Sequence, residues 1–97
     1  MITSKQRSYL RRLANDIPAI FQIGKGGINE NMIKQIKEAL AARELVKINV
    51  LKNAEADVRS ICEEIARDTE SDIVQVIGNK FILYKESEKK ICFPEQE

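Results

Sequence analysis

Ala19-Ile20-Phe21-Gln22-Ile23-Gly24-Lys25-Gly26-Gly27-Ile28-Asn29 passes from a short apolar segment rich in β-formers, through three glycines and a lysine, to a residue suited to cap a helix. The first five residues read as a strand and the glycine run as a strand-to-helix turn. Asn29 is a good N-cap, and behind it Met32, Ile33, Ile36, Ala39 and Leu40 recur on one helical face. Ile28 stands where it packs on Ile33 as a hydrophobic staple. Lys34 and Lys37 fall on the opposite face, three residues apart.

Outward from this unit the alternation of patterns continues. Downstream, Leu45 to Leu51 sets Val46, Ile48 and Val50 against Lys47 and Asn49, the period-2 pattern of a strand with one wetter face. A third helix is expected after Asn53. Its apolar stripe is Val58, Ile61, Cys62, Ile65 and Ala66, and Glu55, Asp57, Glu63, Glu64 and Asp68 make much of the remainder acidic. Ile73 to Ile77 and Lys80 to Lys85 are two strands joined by Gly78-Asn79, a pair that tolerates positive φ in a tight hairpin. Upstream, Thr3-Ser4-Lys5-Gln6 fits a capping box. The helix it opens carries Leu10, Leu13, Ala14 and Ile17 as its stripe, flanked by Arg7 and Arg11 on one side and by Lys5 and Arg12 on the other. It should end near Asn15-Asp16, before Pro18.

The order is α-β-α-β-α-β-β, which predicts an α/β (α+β) domain with a four-stranded mixed sheet covered by helices. Two strand-helix-strand connections imply parallel pairs with right-handed crossovers, and the hairpin adds one antiparallel strand. The pattern predicts one domain over residues 1–85 and a charged, flexible tail over residues 86–97.

Composition limits the chemistry. The chain has 97 residues, enough for one small core, and no histidine. With Cys62 and Cys92 as its only thiols it assembles neither a usual zinc site nor a Ser-His-Asp or Cys-His pair, and a reducing compartment is the simpler setting. The charged N-terminus is unlike a signal peptide, and no apolar run approaches the ~20 residues that span a bilayer. The expectation is a cytoplasmic monomer with no membrane partner, no metal, no cofactor and no small-molecule substrate. The net charge of +1 conceals a split: residues 1–52 hold ten basic side chains against four acidic, a balance of +6, and residues 53–97 hold six against eleven, a balance of −5.

Gly24-Lys25-Gly26-Gly27 lies inside the basic half, where the unpaired N–H groups and positive dipole end of a helix favour an anion. Glycine lets the backbone approach a phosphate closely, and Lys25 adds a mobile charge at the tip. The string lacks the Gly-x-x-x-x-Gly-Lys-Ser/Thr of a nucleotide-binding loop. What remains is the Gly-x-x-Gly kind that clamps a nucleic-acid backbone in KH domains. The first-helix bases Lys5, Arg7, Arg11 and Arg12 read equally well as a solvated face or as backbone contacts. Glu63-Glu64 and Asp68 lack the buried setting that acid-base catalysis needs, and Cys62 reads as core. Phe81 and Tyr84 point to opposite faces of the last strand, so at most one of them serves as a stacking platform.

Ile23-Gly24-Lys25-Gly26-Gly27-Ile28-Asn29, preceded by Leu10-Arg11-Arg12-Leu13-Ala14 and Pro18 and followed by Val74-Gln75-Val76-Ile77-Gly78 and Leu83-Tyr84-Lys85, resembles the CRM domain. This is the RNA-binding module of chloroplast splicing factors and of bacterial YhbY proteins, and the resemblance covers residues 2–85. It implies the element order derived above, a sheet similar to that of the C-terminal domain of translation initiation factor three, and Gly24, Lys25, Gly26 and Gly27 as an RNA-contacting loop. Asn15 stands where the family often has histidine, and Gly26 where a larger polar residue is common. A single domain of this size is similar to the bacterial form that associates with the precursor of the large ribosomal subunit.

The resulting expectation is a non-enzymatic RNA-binding protein, with ribosomal RNA or the precursor subunit as partner. Gly24–Gly27, Lys25, Lys34 and Lys37 would contact phosphates, the first helix would extend the footprint, and the acidic third helix would face away. Two rivals stand beside it. One is a protein-interaction module docking through a sheet edge or the acidic helix. The other keeps RNA but moves it to the wetter sheet face of Gln22, Lys47, Asn49 and Gln75, which lacks paired aromatics.

Overall fold

The computed structural model describes residues 2–87, and the expected tail lies outside the described residues from position 88 onward. Its elements are α1 (Ser4–Ala14), β1 (Ala19–Ile23), α2 (Glu30–Arg43), β2 (Leu45–Val50), α3 (Val58–Thr69), β3 (Asp72–Ile77) and β4 (Lys80–Tyr84). Their order is the predicted one. Thr3 Oγ1 accepts from Gln6 N at 3.1 Å while Thr3 N donates to Gln6 Oε1 at 3.0 Å, completing the capping box. Asn29 Oδ1 accepts from Met32 N at 2.8 Å and caps α2.

The third helix starts at Val58, the first residue of its apolar stripe. Asp57, read as part of an acidic face, is instead its N-cap and accepts from Ser60 N at 2.7 Å. That hydrogen bond holds the Asp57 carboxyl below its ordinary value of 3.8.

The strand order is β1-β2-β4-β3. β1 pairs with β2 in parallel, and β4 lies antiparallel to both β2 and β3. The two strand-helix-strand units therefore do not give two adjacent parallel pairs. β2 and β3 run the same way with β4 inserted between them. Burial explains the choice: Phe81, Ile82, Leu83 and Tyr84 are all buried and need cover on both faces, whereas Ile77 on β3 is 53% exposed and suits an edge. In the β3–β4 turn only Gly78 takes positive φ, at 57°. Asn79 ties the turn to the end of β2, donating from Nδ2 to Val50 O at 3.2 Å while its own carbonyl accepts from Val50 N at 2.7 Å.

Alternation along the strands sends side chains into two cores. On one face Ile23, Val46, Ile48, Phe81 and Leu83 meet Ile36 and Leu40 of α2 and Ile61, Cys62 and Ile65 of α3. On the other, Leu45, Val74, Ile82 and Tyr84 meet Leu10 and Ala14 of α1. Phe81 and Tyr84 thus do face opposite sides, each within a core. The result is three layers, with α1 against one sheet face and α2 and α3 together on the other. Glu44, between α2 and β2, is 1% exposed with φ 67°. Its Oε2 accepts from Ser87 N at 2.6 Å and Ser87 Oγ at 2.7 Å, tying down the chain beyond β4.

Candidate nucleic-acid interface

Ile23 is fully buried, so the chain leaves the sheet abruptly at Gly24. Gly27 N donates to Gly24 O at 3.0 Å and closes a tight turn in which Gly27 takes φ 72°, a conformation that side chains resist. Lys25 and Gly26 are exposed at the tip. A Cβ on Gly26 or Gly27 would meet nothing within 4 Å, so the space in front of the loop is open. One on Gly24 would come within 3.3 Å of Asn53 Oδ1, which shows that the β2–α3 connection abuts the loop.

At the start of α2, Met32 N is satisfied by the Asn29 cap, leaving the N–H groups of Glu30 and Asn31 without intrahelical acceptors. Glu30 in that first turn already puts a negative side chain at the positive dipole end. The helix terminus is therefore less positive than its orphan N–H groups alone would make it, whereas the loop tip carries Lys25 with no acid beside it in sequence. Lys34 and Lys37 are exposed on α2, and at ~1.5 Å rise per residue Lys37 stands about 10 Å along the axis from Glu30.

The first helix is not brought to this loop. Its core partners Leu45, Val74, Ile82 and Tyr84 cluster where β2 and β3 begin and β4 ends, whereas the loop leaves the opposite end, level with Val50 and Asn79. Lys5, Arg11 and Arg12 are exposed there, on the other sheet face, with the Arg12 guanidinium 5.8 Å from the centre of the Tyr9 ring. Arg7 is half-buried, and its Nη1 donates to Ile73 O and, at 3.4 Å, to Val74 O. The expected exclusion of the acidic helix also fails. α3 shares a face with α2, and Glu55 and Glu64 line the same groove as Gly24–Ile28. The cause is topological, since both crossover helices return on one side of the sheet.

Lys52 was not singled out by sequence pattern. It is exposed on the connection that abuts Gly24, because β1 and β2 are parallel and their C-terminal loops emerge together. The pairing Leu51 N to Ile23 O, 2.8 Å, continues the ladder into that junction. Among the described residues no group of three or more His, Cys, Asp or Glu could hold a metal, and no helix is long and apolar enough to cross a membrane. Burial pushes the Cys62 thiol up to about 11, as its core position requires.

Residues 2–85 match the profile of the CRS1/YhbY (CRM) domain. The chain is 52% identical over 89 residues to Probable RNA-binding protein YqeI of Bacillus subtilis (strain 168), covering 92% of this chain and 93% of the relative. It is 32% identical over 94 residues to a Haemophilus influenzae RNA-binding protein, covering 96% and 95%. The solution structure of a Staphylococcus aureus protein suggested to bind RNA superposes with a TM-score of 0.80 at 53% identity, covering 97% of this chain and all of that one.

Proposed function

The chain belongs to the CRS1/YhbY (CRM) domain family, and from that membership we propose that it is a non-enzymatic RNA-binding protein that binds ribosomal RNA and assists assembly of the large ribosomal subunit. The observation that carries the reading is the open, lysine-tipped Gly24–Gly27 turn at the end of β1, in a chain whose relatives are named for RNA binding. Lys25 and the loop backbone take a phosphate, Lys34 and Lys37 extend the positive track along α2, and Lys52 adds charge beside it. Such contacts position an RNA without reading its bases. Lys5, Arg11 and Arg12 form a separate positive surface on the far sheet face, available to a second segment of a large RNA. Arg7 serves the fold and leaves the footprint.

The test is the variant Lys25→Gln/Lys34→Gln/Lys37→Gln titrated against a large-subunit ribosomal RNA transcript at several salt concentrations. Affinity should fall, and each lost contact should flatten the slope of log K against log salt by about 0.7–0.9. Unchanged affinity and slope would remove the loop from the interface. Crosslinking in cells, with sequencing of the attached RNA, tests the ribosomal assignment, which recovery of messenger or transfer RNA alone would overturn.

A further inference from the structure

We propose that the part of the sheet face left open beside α1 is a second, base-directed RNA contact, in which Gln22, Asn49 and Gln75 meet unpaired bases while Lys47 and Lys80 hold the flanking phosphates. The inference rests on the RNA-binding reading above and adds to it a site that recognises bases.

α1 covers only the half of this face around Leu45, Val74, Ile82 and Tyr84. The row nearest the glycine loop is Gln22, Asn49, Lys80 and Ile77, one residue from each strand. Behind it Lys47 and Gln75 flank Ile82, which α1 covers. Gln22, Lys80 and Ile77 are exposed, and Lys47, Asn49 and Gln75 are half-buried. With strands ~4.8 Å apart the front row is about 14 Å wide, enough for a short run of unpaired bases.

Three features select RNA as the occupant. Neither row contains an acid, and the two charged side chains in them are lysines; Asp72, on the same face, lies at its far end opposite Tyr84. Side-chain amides present a donor and an acceptor together, the pairing that matches base edges. Asn49 Oδ1, central in the front row, is shielded from solvent and is the one buried side-chain polar atom among the described residues with no hydrogen-bond partner. Native structures pair such atoms with few exceptions, and turning the half-buried Asn49 amide outward lets Oδ1 accept from a base amino group.

The two sites are continuous. Gln22 is two residues from Gly24, so a strand held at the loop passes onto the front row on the face opposite α3 and its carboxylates. Among the described residues the two rows carry no aromatic ring, so hydrogen bonding replaces stacking. Ile77 supplies an apolar contact at one end. Single strands are therefore preferred over a duplex, whose base edges lie in grooves that a flat sheet does not enter.

The experiment measures binding of the full chain to short oligo(A), oligo(C), oligo(U) and a duplex of equal length, for wild type, Gln22→Ala/Gln75→Ala and the triple-lysine variant. The glutamine variant should lose about five- to ten-fold in affinity for the best single strand, the loss expected for a hydrogen bond or so. Its discrimination among the three oligomers should narrow, with the salt slope unchanged. If it retains wild-type affinities and discrimination while the triple-lysine variant is weakened, the sheet site is overturned and the loop reading stands. Absence of binding by wild type to every RNA would overturn both. Retained RNA affinity with loss of a protein that wild type captures from nuclease-treated extract would assign the face to a protein and overturn the proposal.

Discussion

Arg7 shows how a side chain with a plausible surface role is claimed by the fold. Helical spacing puts it at the margin of the α1 stripe, where a basic residue suits solvent or phosphate equally. In the structure it reaches the bulge between Ile73 and Gln75, where ladder pairing is interrupted, and donates to the carbonyls of Ile73 and Val74. Arg7→Ala should destabilise by about 1–3 kcal/mol in urea unfolding, the range for leaving partly buried acceptors unpaired, with little change in RNA affinity. Arg7→Lys should not restore the loss, because one ammonium does not reproduce a planar fork. Weakened RNA binding at undiminished stability would return Arg7 to the interface. Glu44 is a parallel case: one of the four acids of the basic half, it is a buried anchor for Ser87 and not a solvated charge.

Among the elements, the caps were legible in sequence where a donor-acceptor pair sits within four residues, as at Thr3–Gln6 and Asn29–Met32. α3 was harder. Glu55 and Asp57 both stand just ahead of the stripe, and the structure singles out Asp57 by its extended φ and ψ of −76° and 165° and by the hydrogen bond it accepts from Ser60 N. Its carboxyl pKa lies below the ordinary 3.8, so the cap stabilises the folded state above that pH and is lost as pH falls through the depressed value. Asp57→Ala should therefore lower the Tm at neutral pH, and the gap from wild type should close below about pH 3.8. A gap independent of pH would show that capping by the carboxylate is not the cause. β4 carries the complementary lesson. Its run Phe81-Ile82-Leu83-Tyr84 announced a strand, while its position between β2 and β3 came from the need to cover two apolar faces.

In the whole molecule, one helix on one sheet face and two on the other split the basic half of the chain. Lys25, Lys34 and Lys37 lie on the side of α2 and α3, and Lys5, Arg11 and Arg12 on the side of α1. The layering also seals Cys62 between α3 and the sheet, with its thiol at about 11 because burial disfavours the thiolate. In a Cys92→Ser background, maleimide labelling of Cys62 at neutral pH should be negligible under native conditions and should follow global unfolding in denaturant. Labelling at the rate of a free thiol in the native state would contradict the packing described. The kind and order of the elements, two helix caps and the glycine loop were determined by the sequence alone, because each depends on residues a few positions apart. The strand order, the face each helix covers, the approach of Glu55 and Glu64 to the loop and the duties of Arg7 and Glu44 were decided only in the tertiary structure. They follow from competition among distant segments for burial and for hydrogen-bond partners, which no local pattern records.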